Sequence, residues 1–552
     1  MHKIAWPRRH VLGALAAVPF AGTVVAGATT GLLSACGAGS KTPPKLRDAQ
    51  IVEASIASLQ QGMTRGTFSA RSVVLAYLDR IAAIDKSGPT LSSIIETNPD
   101  ALAIADALDA ERRRKGPRGP LHGIPLLLKD NIDTDDRMAT TAGSLALLDS
   151  RPARDAEVAR RLREAGAILL GKANLSEWSN YRSGSAEGGR SRSGWSARGG
   201  ATLNPYCLDA DPMGSSAGSA VAVSANLAAA FLGTETSGSI LSPAAVSGIV
   251  GLKPTVGLTS RAGVIPISAV MDSVGPMART VEDAAILLGA IAGIDARDSA
   301  TQRAGKRPAD YRVFLDPNGL RGAVIGVAAD APLPPSIAAH VTGAGARLVE
   351  IDSTRIEALH QRALASLPAE DEVRMFDIGT TLRYEFKEAI ATYLASRRPI
   401  ADRAPAGAVR TLADLIAFNV RTPAERLDRH DQRLFEEAEA SSGLTTPEYV
   451  AQHRYNDGVA RAILDGLLGE LRLDAIVSNG PNDSWGTLAA AIGYPQLTLP
   501  YWPSSTTKMP ERVVFTAKPF GEPALLGLAY ALEQVLRRAG MQRQVPRYLA
   551  SC

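Results

Sequence analysis

The chain has few histidines and few cysteines, seven and three of its 552 residues. These residues show no spacing typical of a metal site, so the sequence predicts no metal and no cofactor. A GxxxxGK[ST] phosphate-binding motif is also lacking, which argues against a nucleotide-binding protein. His122 is the only histidine near a motif, and its position before Gly123 favours a packing role over membership of a Ser–His–Asp triad.

A strong charge of one sign is lacking as well. The formal net charge is +4, and Lys3, Arg8 and Arg9 supply three of these charges within residues 1–35. The rest of the chain therefore carries about +1 and has no basic run, so nucleic acid is not a predicted partner. No pattern in the sequence indicates an obligate protein partner.

Acidic residues are absent from residues 1–35, where Arg8 and Arg9 precede a run rich in Ala, Gly, Val and Leu. A basic segment followed by an apolar one predicts an export signal, and paired arginines are typical of the twin-arginine kind. The sequence LSAC ending at Cys36 resembles a lipobox, which predicts a periplasmic protein tethered to a membrane through a lipidated Cys36. A transmembrane anchor, or cleavage by ordinary signal peptidase to leave a soluble periplasmic protein, is the alternative.

Only two cysteines, Cys207 and Cys552, follow Cys36. In an oxidising compartment they could form a disulfide, but the sequence does not place them within bonding distance. A disulfide and two free thiols both remain open.

The remaining pattern predicts a short tether over residues 36–48 and one folded domain over residues 49–552. Strand and helix patterns alternate through residues 124–172, which predicts a layered α/β core. Charged amphipathic helices dominate about residues 357–470, which predicts a helical insertion. Segment 178–204 is rich in Ser, Gly and Arg, and we interpret it as an ordered loop near a site rather than a core element.

The most informative stretch is residues 211–244, in which two glycine–serine turns flank an apolar run. The turns read GSSAGS and TETSGSI, and we interpret the run from Ala220 to Leu232 as one continuous helix. Glycine allows a positive φ and a close approach of the backbone, and successive N–H groups in such turns can bind an anion. Flexible surface linkers are the alternative, but linkers do not normally bracket a buried helix.

A second informative stretch is LHGIPLLLKDNIDT, residues 121–134. The run from Ile124 to Leu128 predicts a strand buried on both faces, and the strand delivers Lys129 into the interior. Burial lowers the pKa of a lysine, which makes a neutral amine available as a base. The alternative is a lysine that reaches solvent or pairs with Asp130 or Asp133.

These stretches together resemble the amidase signature family from about Ala49 to the C-terminus. The matching motifs are GIPLLLKDNIDT, GSSAGSA, TETSGSI, SGIVGLKPTVGLTSR and GYPQLTLP. Within the family the chain is most similar to bacterial peptide amidases, through GKANLSEWSNYRS, WSARGGATLNP, GTETSGSI and GVIPIS in that order. The resemblance implies a mixed central β-sheet between layers of α-helices.

The resemblance also implies a Ser–cisSer–Lys triad with Ser239 as nucleophile, Ser215 as the bridging serine after a cis peptide bond, and Lys129 as base. It implies an oxyanion hole formed by four backbone N–H groups, those of Thr236, Ser237, Gly238 and Ser239. We expect supporting hydrogen bonds from Ser216 and Thr234, as well as from the Thr236 side chain. A serine hydroxyl is a weak nucleophile that needs an adjacent base, and a buried neutral lysine can supply one.

Two departures from the usual family pattern concern Ala217, in place of glycine, and Ser237, which adds a side chain to the oxyanion segment. Both are compatible with activity, and Ser237 is expected to tune substrate fit. The implied function is hydrolysis of carboxamides to a carboxylate and ammonia or an amine, with C-terminal peptide amides as the suggested substrate. Aryl, aliphatic or amino-acid amides are the alternative substrates. The alternative functions are a catalytically silent binding scaffold and part of a transamidation complex.

Overall fold

The structure is a computed structural model of the 552-residue chain. It describes Leu46 and residues 48–552, apart from residues 184–192, 306, 330, 369–370, 372, 374, 401–408, 481–483 and 505. The predicted export signal, the lipobox with Cys36 and nearly all of the predicted tether lie outside the described residues. Among the described residues, no helix combines the length and the apolar character that a membrane crossing requires.

Eleven strands of the described chain form one mixed sheet. They are β1 (Ile94–Thr97), β2 (Pro125–Lys129), β3 (Ile168–Ala173), β4 (Ala230–Glu235), β5 (Val250–Lys253), β6 (Ser273–Ala278), β7 (Val324–Ala328), β8 (Arg347–Ile351), β9 (Ala475–Ser478), β10 (Gln496–Tyr501) and β11 (Glu511–Thr516). Their order across the sheet is β1-β3-β2-β4-β6-β5-β10-β11-β9-β7-β8. Strand β2 lies parallel to both β3 and β4, whereas β4 and β6 are antiparallel.

Most helices of the described chain cover the sheet. They are α1 (Asp48–Ile51), α2 (Ile56–Thr64), α3 (Ala70–Arg80), α4 (Ala101–Lys115), α5 (Glu157–Glu164), α6 (Ala217–Ser224), α7 (Leu241–Val246), α8 (Val281–Ile291), α9 (Pro335–Gly343), α10 (Ser353–Ser366), α11 (Ile378–Ser396), α12 (Leu412–Arg421), α13 (Arg433–Glu439), α14 (Pro447–Glu470), α15 (Ser484–Ala491) and α16 (Glu522–Arg538). The α/β class and the mixed central sheet predicted from the sequence are confirmed.

The apolar run from Ala220 to Leu232 is not one helix, so this prediction was wrong. Helix α6 ends at Ser224, and β4 begins at Ala230. Between them Asn226 adopts a positive φ of 59°, a conformation that asparagine tolerates better than most residues. Because α6 packs on the sheet and β4 lies inside it, both are apolar, and the composition does not show where one ends.

The predicted insertion, residues 357–470, divides between two hydrophobic clusters. Helices α10 and α14 share one cluster with residues of β8 and β9, so they cover the sheet itself. Helices α11, α12 and α13 contribute to another cluster, which also contains Trp178 and Tyr181. The helices α11 to α13 are therefore the part that forms a separate lobe beside the sheet.

Segment 178–204 was expected to contribute nothing to a core, and this was wrong for its first residues. Trp178 and Tyr181 are 2% and 6% exposed. The Trp178 ring meets Phe435 edge-on at 5.7 Å, and the Tyr181 ring lies 4.6 Å from Phe386. The burial of these aromatic rings depends on partners more than 200 positions later in the chain, which a local pattern does not reveal.

Cys207 and Cys552 form a disulfide, with their Cα atoms 5.8 Å apart. This bond decides between the two alternatives left open by the sequence. Backbone hydrogen bonds support the same contact, since the Leu208 amide donates to the Leu549 carbonyl at 2.8 Å and the Tyr548 amide donates to the Pro205 carbonyl at 3.1 Å. The C-terminal segment is therefore fixed to the loop that precedes α6.

Replacing Cys207→Ser is expected to lower the free energy of unfolding by about 2–4 kcal/mol, because the unfolded chain gains the freedom that the cross-link removes. Urea unfolding in non-reducing buffer measures the change. Wild-type protein treated with a reductant serves as the control and is expected to fall to the level of the variant. Equal stability of the variant and the oxidised wild type would contradict the prediction.

Candidate active site

Lys129 ends the buried strand β2, with every residue from Pro125 to Lys129 shielded from solvent. Its Nζ donates to Ser215 Oγ at 2.7 Å, to Thr234 Oγ1 at 2.9 Å and to the Thr234 carbonyl at 3.2 Å. The sequence left open whether Lys129 turns inward or reaches solvent, and the structure places it wholly inside.

Burial lowers the pKa of the Lys129 amine to about 7, while the nearby carboxylates of Glu235 and Asp272 oppose that shift. A neutral amine carries two hydrogens and one lone pair. The two oxygens of Thr234 can accept both hydrogens, which leaves the lone pair for the hydroxyl of Ser215. Near neutral pH the arrangement can therefore remove a proton from Ser215.

Ser215 lies in the first glycine–serine turn, just before α6, and is fully buried. The Gly214–Ser215 peptide bond is cis, as the family resemblance implied. The Ser215 carbonyl accepts a hydrogen bond from the Ser176 amide at 3.0 Å. This bond fixes the turn against the chain that follows β3.

Ser216 joins the first glycine–serine turn to the second. Its amide donates to the Ser239 carbonyl at 3.1 Å, and its hydroxyl donates to the Thr234 carbonyl at 3.1 Å. Ser216 and Thr234 thus both make hydrogen bonds that hold the site together. These contacts bring the stretches around residues 129, 215 and 239 into one place.

The segment Thr236 to Ser239 connects the end of β4 to the start of α7. Gly238 has a φ of 76°, in the left-handed region that favours glycine. None of the four backbone N–H groups in this segment donates to an acceptor in the described part of the chain. They are therefore free to bind a developing negative charge.

Two carboxylates hold the segment Thr236 to Ser239 from outside. Asp272 Oδ1 accepts from Thr236 Oγ1 at 2.6 Å, so the predicted supporting role of Thr236 rests on Asp272. Glu235 Oε2 accepts from the amides of Ile240 and Leu241 at 2.6 and 3.0 Å, at the start of α7. Neither role was predicted from the sequence, although Glu235 lies inside the TETSGSI motif.

Ser239 is 8% exposed and lines two cavities. The smaller cavity has a volume of about 10 Å³ and is also lined by Ser215 and Asn131. The larger cleft has a volume of about 250 Å³ and is also lined by Ser237 and by Leu382 of α11. Only the smaller of these two cavities is lined by Ser215.

Asn131 is a site residue that the sequence analysis did not identify. It lies two positions after Lys129 and is 2% exposed. Its Nδ2 donates to Thr234 Oγ1 at 2.9 Å and to Ser179 Oγ at 3.3 Å. The signal that could have found it is its position two residues after Lys129, just past the carboxyl end of a buried strand.

The wall of the larger cleft depends on a buried ion-pair network. Arg182, 1% exposed, pairs with Glu177 and also with Glu425, whose Oε2 lies 3.0 Å away. Glu425 in turn accepts from the Ser144 hydroxyl and the Leu145 amide at 3.0 and 2.9 Å. Burial raises the pKa of Glu177 well above its usual value. The network ties the helical lobe to the loop that carries Tyr181.

Comparison with known proteins shows which proteins the chain is similar to. The family model for amidases matches residues 72–526. The peptide amidase from Stenotrophomonas maltophilia superimposes with a TM-score of 0.79 and is 44% identical, with 90% of this chain and 99% of that chain covered. An amidase family protein from Bacillus anthracis gives a TM-score of 0.79 at 35% identity, over 90% and 93% of the two chains.

A relative with a different described activity is also similar. One of the subunits of the glutamyl-tRNA(Gln) amidotransferase of Moorella thermoacetica is 33% identical over 86% of this chain and 94% of its own length. The similarity therefore extends over more than nine-tenths of the length of each of these three relatives. From the family match, these identities and this coverage, the chain belongs to the amidase signature family and is an amide-hydrolysing enzyme.

Proposed function

We propose that the chain hydrolyses carboxamides through Ser239 as nucleophile, Ser215 as proton relay and Lys129 as base. The observation that carries this proposal is the 2.7 Å hydrogen bond between Lys129 Nζ and Ser215 Oγ, in a cavity that Ser239 also lines. A serine nucleophile needs an adjacent base, and a lysine with a pKa of about 7 is half neutral at physiological pH.

In the proposed cycle, Lys129 accepts the proton of Ser215 as Ser215 accepts the proton of Ser239. The Ser239 oxygen then attacks the amide carbonyl, and the backbone N–H groups of residues 236–239 stabilise the negative charge on the carbonyl oxygen. Losing one such donor typically costs about 10²–10³ in rate. Ser215 next protonates the leaving nitrogen, the C–N bond breaks, and water hydrolyses the acyl-enzyme by the same relay.

The two cavities receive different parts of the substrate in this proposal. A general acid must lie within hydrogen-bond reach of the atom that it protonates, and Ser215 lines only the smaller cavity of the two. The leaving nitrogen therefore enters the smaller cavity, and the acyl group occupies the larger cleft. The small volume favours ammonia over a bulky amine as the leaving group.

The larger cleft supports a peptide as the acyl group. Its lining side chains carry no charge and combine hydroxyl and amide groups with apolar surface, from Ser179, Asn180, Tyr181, Ser193, Met213, Thr236, Ser237, Ser239, Ser242, Ile267 and Leu382. An uncharged peptide chain that ends in a carboxamide fits this chemistry. The 44% identity to a peptide amidase supports the same substrate, while aryl, aliphatic and amino-acid amides remain the competing substrates.

The other functions receive less support. A catalytically silent scaffold does not require a buried lysine directed at a buried serine. A role in a transamidation complex is suggested by the similarity to a chain of the amidotransferase, but the near-neutral chain lacks the basic run expected for contact with a tRNA.

We also propose that residues 1–35 export the protein to the periplasm and that Cys36 becomes lipidated. The Cys207–Cys552 disulfide supports an oxidising compartment, since such bonds persist mainly outside the cytosol. Fractionation of cells that produce the full chain tests this proposal, with Arg8→Lys/Arg9→Lys and Cys36→Ala as variants. Loss of export in the first variant and release from the membrane in the second are expected. Cytosolic protein in the wild type would overturn the proposal.

The proposed nucleophile predicts that Ser239→Ala abolishes ammonia release from peptide amides, because no other described group takes its place in the relay. A coupled assay of ammonia with peptide, aryl and aliphatic amides measures both the mechanism and the preference. We expect the wild type to release ammonia from peptide amides and the variant to release none. Release from simple amides alone would reject the peptide substrate, and undiminished turnover by the folded variant would reject Ser239.

The proposed role of Lys129 as the base predicts how kcat/KM depends on pH. Lys129 must be neutral to act, so kcat/KM is expected to rise about tenfold per pH unit at acidic pH and to level off above an apparent pKa of about 7. Initial-rate measurements from acidic to alkaline pH record the profile. Lys129→Ala, checked for folding by circular dichroism, is expected to lack activity at every pH. If kcat/KM still rises steeply about two pH units above neutrality, the pH dependence reports a lysine with an unperturbed pKa, and the prediction is wrong.

A further inference from the structure

Three residues that line the smaller cavity beside Ser239 each carry a buried oxygen that has no hydrogen-bond partner in the described residues. These oxygens are Asn131 Oδ1, Glu235 Oε1 and Ser273 Oγ. Buried polar atoms are nearly always satisfied, so an unpaired group in a native structure calls for an explanation. The amide carbonyl oxygen of Asn131 and the carboxylate oxygen of Glu235 only accept hydrogen bonds, so the partner that each of them lacks is a donor.

Asn131 is held in a fixed orientation by its other end. Its Nδ2 donates to Thr234 Oγ1 at 2.9 Å, and the same oxygen accepts from Lys129 Nζ at 2.9 Å. Its backbone carbonyl accepts from the Ile265 amide at 2.9 Å. These contacts fix the side chain, with Oδ1 as its one polar atom unpaired within the described residues, in the wall of the cavity that Ser215 also lines.

We propose that Asn131 Oδ1 accepts a hydrogen bond from the carboxamide nitrogen of the substrate, and that this contact selects unsubstituted amides over esters. The inference rests on the proposed function, since it needs the leaving group to enter the smaller cavity. An amide nitrogen has hydrogens to donate, whereas an ester oxygen presents only lone pairs to Oδ1. The ester therefore leaves the buried acceptor unpaired, and a site built in this way discriminates against it.

The contact also orients the nitrogen for departure. After Ser239 attacks, the nitrogen of the tetrahedral intermediate carries two hydrogens and a lone pair. A hydrogen bond to Asn131 restricts rotation about the C–N bond and holds the lone pair toward Ser215 Oγ. Ser215 gives its proton to that lone pair, the C–N bond breaks with its electrons on nitrogen, protonated Lys129 returns a proton to Ser215, and ammonia leaves.

Two variants of nearly equal size separate the acceptor from simple packing. Asn131→Leu removes the oxygen, and Asn131→Asp keeps one. The measured quantity is the ratio of kcat/KM for a peptide amide to kcat/KM for the methyl ester of the same peptide. Partial misfolding of a variant lowers kcat/KM for the amide and for the ester equally and leaves their ratio unchanged. The ratio therefore reports on the contact with the leaving group. Thermal unfolding confirms that each variant is folded.

We expect Asn131→Leu to lower the amide-to-ester ratio about tenfold, the loss typical of one hydrogen bond, and Asn131→Asp to keep the ratio within about threefold of wild type. An unchanged ratio in Asn131→Leu would overturn the inference, as would an equal fall in both variants. The proposed function fails by a different result, namely no Ser239-dependent ammonia release from the wild type. The two failures are therefore distinguishable.

Discussion

The burial of the Lys129 amine is the constraint on which the rest of the site depends. A lysine removed from water becomes a useful base only if its neutral form is accessible and its hydrogen bonds are satisfied. The first condition is met by burial at the end of β2, which lowers the pKa of Lys129 to about 7. The second is met by Thr234 of β4 and by Ser215. Because β2 and β4 are neighbouring parallel strands, the backbone of the sheet sets this spacing.

The carboxylates around the amine balance the effect of burial. Burial alone favours the neutral amine, whereas Glu235 and Asp272 favour the charged one. Each of these carboxylates also contacts the segment Thr236 to Ser239 or the helix that follows it, with Thr236 for Asp272 and with the start of α7 for Glu235. The same two groups therefore influence the pKa of Lys129 and the geometry of this segment. A substitution at either position changes both properties together.

The grouping of Lys129, Ser215 and Ser239 at one site could be predicted from the sequence because these residues lie in short, contiguous motifs. The strand that carries Lys129 and the two turns that carry Ser215 and Ser239 are local features, and the fold class follows from the alternation of elements. The division of the run 220–232 into α6 and β4 could not be predicted, because both parts are equally apolar and buried. Contacts between residues that lie far apart in the sequence could not be predicted either. Asp272, the aromatic contacts of Trp178 and the pairing of Cys207 with Cys552 depend on the folded arrangement.

The difference between the two cavities follows from the way the domain is built. The smaller cavity is lined by the end of β4, by the start of β6 and by loop residues that include Asn131, Ser215 and Ile265. The larger cleft is bordered by Leu382 of α11 and by Tyr181, whose positions depend on the helical lobe and on the Arg182–Glu425 ion pair. In the proposed mechanism, changes in the lobe therefore alter the space for the acyl group, whereas Lys129 and Ser215 are held by β2, by β4 and by the turn before α6.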